Sequence, residues 1–251
     1  MTDTLPILAG SVHRLAALAG GLDDDQIVLQ AYPTEWTVAD VLSHLGSGAV
    51  ILRRRLEDTL AGRPTPDDAA TTVWAEWDAK APRAQADDAL VADRALLVRL
   101  EEVTAEERDG FVFTMGPMSL DFDACVALRL NEHALHVWDI EVVLDPEATV
   151  APDSVARVVD NLQMFAGFTG RPTDGSRVVT VGTTDPARTF RITLGPERVS
   201  IDNADPGDEA ELVMPAEALV RLVYGRLDPD HTPPISGSGD LAELRQAFPG
   251  A

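Results

Sequence analysis

The chain has 251 residues, 45% of them hydrophobic, which is enough apolar side chain for two ordinary domains and excludes whole-chain disorder. Forty-two acidic residues against 20 basic ones give a net charge of −22. That field repels a phosphate backbone and an anionic bilayer, so no nucleic-acid or membrane partner is expected.

The single cysteine, Cys125, excludes an intrachain disulfide and a thiolate zinc cage. No stretch approaches the roughly 20 apolar residues of a membrane span. The opening MTDTLPILAG carries acid where a signal peptide carries base, so a cytoplasmic location is expected.

Leu5, Leu8, Val12, Leu15 and Leu18 recur at steps of three and four and predict a first helix, stopped at Gly20-Gly21. Tyr32-Pro33-Thr34 reads as a loop. Thr37 with Asp40 has capping-box spacing and opens a second helix over 38–60, on Val41, Leu42, Leu45, Ile51, Leu52 and Leu56. Residues 62–72 read as a long polar connection. A third helix is expected over 85–107, on Leu90, Leu96, Leu97 and Leu100, and a fourth over 119–143. Four amphipathic helices with one long connection predict a four-helix bundle.

The pattern changes after Asp145-Pro146. A helix over 152–168 is followed by alternating runs at 178–182, 189–194 and 198–201, with 212–214 as a further short strand. Residues 216–225 read as a helix, and Gly237 to Asp240 open a last one, closed by Pro249-Gly250. The fold class is therefore α+β, with a helical bundle over 1–147 and a small α+β domain over 148–251.

Glu132 and His136 are four apart on the fourth helix, within roughly 40° of each other at about 100° per residue. One helix can thus offer a carboxylate and an imidazole to a single metal ion. His133 projects elsewhere. Asp139 is placed to accept the other ring N–H of His136, and Arg129 is near the same face. His44 is the candidate third ligand, because an imidazole among Val41, Leu45 and Ile51 is unexpected without a partner. Ser47 and Gly48 beside it suggest room for a ligand. Two histidines and one glutamate leave coordination positions open, as a catalytic metal requires. Spacing alone leaves the plainer alternatives standing: a solvated Glu–His pair, and His44 as a satisfied core residue. Cys125 reads as a small buried hydrophobe, Trp74 and Trp77 as packing, and His13 and His231 as surface.

The segment Pro33-Thr34-Glu35-Trp36-Thr37-Val38-Ala39-Asp40-Val41-Leu42-Ser43-His44-Leu45 resembles the signature of the DinB-like metal-binding superfamily. It is most similar to the actinobacterial branch, the mycothiol-dependent maleylpyruvate isomerase family. Arg129-x-x-Glu132-x-x-x-His136-x-x-Asp139 resembles the second motif of that family. Leu222 to Arg226 and Gly239 to Gly250 resemble its appended domain, which is sterol-carrier-protein-like.

The resemblance implies a divalent metal, commonly zinc, held by His44, Glu132 and His136. It implies mycothiol as thiol cosubstrate in an isomerase or S-transferase acting on a small molecule. It also implies a catalytic arginine from the C-terminal domain, with Arg226 the first match and Arg221 the second. A monomer or weak homodimer is expected. The competing readings are a non-catalytic metal- or ligand-binding protein and a metal-dependent hydrolase of the same fold.

Overall fold

The computed structural model describes residues 3–115 and 118–250, the side chains of Met115 and Met118 excepted. Met1, Thr2 and Ala251, the ends of the two expected domains, lie outside the described residues. The chain divides into two compact units between Ala148 and Thr149.

The first unit is built on four long helices: α1 (Thr4–Ala19), α3 (Val38–Leu60), α5 (Pro82–Glu101) and α7 (Phe122–Leu144). Short helices α2 (Asp24–Ile27), α4 (Ala69–Asp78) and α6 (Ala105–Asp109) lie between them. α3 packs against α5 and α7, and α1 against α7 and α5. Their apolar stripes meet in a core that includes Leu15, Ile27, Val41, Leu42, Leu45, Trp77, Ala89 and Ile140.

Local chemistry sets the helix ends. The Thr37 hydroxyl accepts from Asp40 N at 3.2 Å, and the Asp40 carboxylate accepts from Thr37 N at 2.8 Å, closing the expected capping box of α3. α5 starts earlier than expected because Pro82 occupies its first turn, where a missing N–H costs nothing. It also ends earlier. A second capping box, Thr104 with Glu107, restarts the chain as α6. The fourth helix begins at Phe122, because the Asp121 side chain caps Ala124 N at 2.8 Å. Just ahead of it, β1 (Phe113–Met115) pairs antiparallel with β2 (Met118–Leu120), a hairpin not foreseen in the sequence. α4 begins inside the expected polar connection. It seats Trp77, 4% exposed, against α3 at Gly46, where a Cβ would collide with the indole. Trp74, by contrast, is exposed.

In the second unit the expected helix over 152–168 is two helices, α8 (Pro152–Val158) and α9 (Leu162–Thr169), joined by a 3-10 turn at Val159–Asn161. A five-stranded sheet follows, in the order β5 (Ser200–Asn203), β4 (Arg188–Leu194), β3 (Arg177–Thr184), β6 (Leu212–Pro215) and β7 (Ser236–Gly237). β3 and β6 are parallel, and the other pairs are antiparallel. Val179, Val181, Phe190 and Ile192 alternate into the core, as the period of two demands. α10 (Ala216–Val223) and α11 (Leu241–Ala247) complete the unit. α10 stops in a Schellman motif. Gly225 takes φ +69°, Gly225 N donates to Leu222 O at 2.9 Å, and Arg226 N donates to Arg221 O at 2.7 Å. No helix among the described residues is long and apolar enough to cross a membrane.

Candidate metal centre

His44 rises from the second turn of α3, and Glu132 and His136 from successive turns of α7. His44 Nε2 lies 3.1 Å from Glu132 Oε2, and His136 Nε2 lies 3.7 Å from the same oxygen. One ligand atom from each residue fits within 4.8 Å of the other two, so a single cation can be reached by all three. The donor set suits a divalent metal that accepts nitrogen and oxygen. The His44 and Glu132 side chains keep 37% and 38% exposure, so the cluster stays open to solvent on one side.

Glu132 is a carboxylate well below neutrality. Burial pushes its pKa up, but the hydrogen bond with His44 and the nearby His136, His44 and Arg129 charges bring it down to about 2. His136 Nδ1 sits 2.8 Å from Asp139 Oδ2, and Asp139 is fully buried. That contact leaves Nε2 as the atom facing the cluster. The Trp36 indole lies over both imidazoles, with centroids 5.1 Å from His44 and 5.8 Å from His136.

His133 turns away from this group, as its helical angle requires. Its Nε2 lies 2.9 Å from Asp93 Oδ2 and its Nδ1 3.0 Å from Ser11 Oγ. These are the residue types of a hydrolytic triad, but Ser11, His133 and Asp93 are all buried, so they tie α1, α7 and α5 together instead of meeting a substrate. Arg129 joins the same network. Its Nη2 donates to Asp93 and, at 2.8 Å, to Leu45 O. The space beside Gly48, read in the sequence as room for a ligand, is occupied by this guanidinium. A Cβ on Gly48 would lie 3.1 Å from Arg129 Nη1. Asp93, which the sequence pattern alone does not single out, carries a usable signal: it is a charge in the apolar stripe of α5, four residues after Ala89 and three before Leu96.

Cys125 is 1% exposed. Burial, with help from Asp121, pushes its thiol up to about 12, so it is an inert core residue. In the second unit, Arg221 is 3% exposed and forms a two-pronged pair with Glu217, at 2.7 and 2.9 Å. It also donates to His231 O at 2.8 Å. Arg226 is half-buried, and its Nη1 donates to Tyr224 O at 2.9 Å. His231, read as surface, has Asp228 Oδ2 2.9 Å from its Nδ1.

A comparison with curated protein sequences finds no match. Two solved structures, the crystal structures of the mycothiol-dependent maleylpyruvate isomerase and of a histidine-to-alanine mutant of it, each match with a TM-score of 0.64. Each is 14% identical and covers 89% of this chain and 88% of that chain, a likeness that establishes a shared fold. Residues 8–141 match the mycothiol maleylpyruvate isomerase N-terminal domain, and residues 149–246 match the MDMPI C-terminal domain. With both domains matched in order, the chain belongs to the mycothiol-dependent maleylpyruvate isomerase family.

Proposed function

We propose that this protein is a metal-dependent enzyme that uses mycothiol, or a closely related low-molecular-weight thiol, to isomerise a maleylpyruvate-like substrate or to transfer the thiol to an electrophile. The observation that carries this reading is the convergence of His44, Glu132 and His136 on one point that remains open to solvent. A free thiol has a pKa of about 8.5, so little thiolate exists at neutral pH. A divalent ion, Zn2+ being our assignment, would act there as a Lewis acid that stabilises the thiolate.

The protein's own residues then have definite tasks. Glu132 supplies negative charge that stays ionised across the working pH range. Asp139 fixes the His136 ring and its tautomer. In the isomerisation the thiolate sulfur forms a C–S bond at the far carbon of the activated double bond, the C=C π bond breaks, and its electron pair shifts toward the conjugated carbonyl, whose oxygen takes the negative charge as an enolate. Rotation follows about what is now a single C–C bond. The carbonyl re-forms, the C–S bond breaks, and the thiolate leaves with no net change in protons. In the transfer the adduct takes a proton and is released. No protein cysteine takes part, in keeping with the inert Cys125. A cation is needed for a substrate carboxylate in a chain of net charge −22. On the family resemblance we assign that role to Arg226 first and to Arg221 second.

The test is metal content and turnover together. The full-length protein is expected to carry one divalent ion and to convert maleylpyruvate, or to thiolate a common electrophile, only when mycothiol is added. His136→Ala is expected to lose the ion and at least about tenfold in turnover. Stoichiometric metal that survives this substitution unchanged refutes the ligand assignment. Ester or amide hydrolysis without a thiol refutes the thiol chemistry.

A further inference from the structure

The two imidazoles of the cluster are held by different means. His136 is fixed from behind, its Nδ1 2.8 Å from the carboxylate of the buried Asp139. His44 has no such support behind it: among the described residues its ring is hydrogen-bonded at Nε2, to Glu132, and not at Nδ1. The χ2 torsion of histidine has broad wells, so a half-exposed imidazole held at Nε2 alone, by Glu132 at 3.1 Å, is loosely aimed unless something packs on its face. Two rings pack on it. The His136 imidazole is 4.6 Å away at 61°, and the Trp36 indole is 5.1 Å away at 40°, both within the range of aromatic pairs.

Trp36 is itself well anchored. Its carbonyl accepts from Ala31 N at 2.9 Å, and its N–H donates to Pro33 O at 3.0 Å. The next residue, Thr37, caps α3 and forms a bridge with Gln30. Tyr32, in the same loop, donates its N–H to Asp139 O at 3.2 Å. Asp139 therefore serves both rings. Its carboxylate holds His136, and its backbone carbonyl holds the loop that presents Trp36 to His44.

We infer that Trp36 is a positioning residue that aims His44 at the cation site, in the part that Asp139 plays for His136. The inference rests on the metal reading above and assigns a residue that this reading does not need. Partners that orient metal ligands usually act through a hydrogen bond to the second ring nitrogen. Here an aromatic face takes that place.

The experiment is a Co2+ titration of the metal-free, full-length protein, followed by visible absorption, for the unsubstituted chain, Trp36→Leu and Trp36→Phe. Trp36→Leu is expected to weaken Co2+ binding about tenfold and to shift the absorption bands as His44 ligation loosens. Trp36→Phe, which keeps an aromatic face, is expected to recover most of that loss. Nuclear Overhauser contacts between the Trp36 indole and the His44 ring are expected in the unsubstituted, metal-free protein. They supply a readout that needs no variant to fold. Their absence overturns the inference. So does a folded Trp36→Leu protein with unchanged affinity and band shape, and that result leaves the metal reading intact. An unsubstituted protein that takes up no Co2+ overturns both.

Discussion

Arg129 on α7 donates to the backbone carbonyl of Leu45 on α3, 2.8 Å away and one residue beyond His44. The same nitrogen pairs with Asp93 on α5. One buried guanidinium thus fastens the α3 turn that carries His44 to the helix that carries Glu132 and His136. Gly48 is what lets it approach.

Replacing Arg129 with methionine keeps much of the apolar stem but leaves the Asp93 carboxylate buried with only His133 beside it. Breaking one side of a buried ion pair costs about 3–5 kcal/mol. Urea unfolding of Arg129→Met is expected to show a loss of that size. A loss under about 1 kcal/mol, the range of exposed pairs, shows that the pair contributes little.

Acid stability tests the other partner. Burial raises the pKa of Asp93, but the Arg129 and His133 charges outweigh burial and hold it below the ordinary carboxylate value. A carboxyl whose folded pKa is depressed adds stability that is complete above its unfolded value of about 3.9. That stability drains away as the pH falls toward the folded pKa. The stability gap between the unsubstituted protein and Asp93→Asn is therefore expected to be constant from neutrality to about pH 4 and to narrow below it. Chemical denaturation at a series of pH values reads this directly. A gap that widens on acidification contradicts it.

The Cys125 thiol, pushed up to about 12 and 1% exposed, is expected to ignore a disulfide reagent at pH 8 in the native protein. It is expected to react stoichiometrically once the chain is unfolded. Cys125→Ala is expected to keep thiol-dependent turnover within about twofold, since the residue only fills space. Rapid native labelling, or a Cys125→Ala protein without activity, gives Cys125 a chemical role.

What was legible in the sequence follows from where periodic signals are strong. α3 announced itself at both ends, through the Thr37–Asp40 box and a long apolar stripe. His44, Glu132 and His136 stood out because two share a helix face and the third interrupts a hydrophobic one. The β1–β2 hairpin did not, because three-residue strands are too short to show an alternation. α4 buries a single large side chain, Trp77, and so has no stripe. The contact of Trp36 with the two imidazoles comes from an irregular loop, whose path no period encodes. The segment that carries Arg226, the first match to the arginine the family resemblance implies, includes Gly225. The signal in Gly225 itself is a helix stop, where only glycine accepts the φ of +69° comfortably.

The two outermost strands of the five-stranded sheet are its edges, and both are brief. β5 has four residues and ends on exposed Asp202 and Asn203, and β7 has two. Long open edges are templates on which a second chain can add a strand and begin to aggregate. Here an incoming chain finds almost no ladder to extend, and the net charge of −22 repels it on approach. Resistance to cross-β association is thus written into strand length as well as charge.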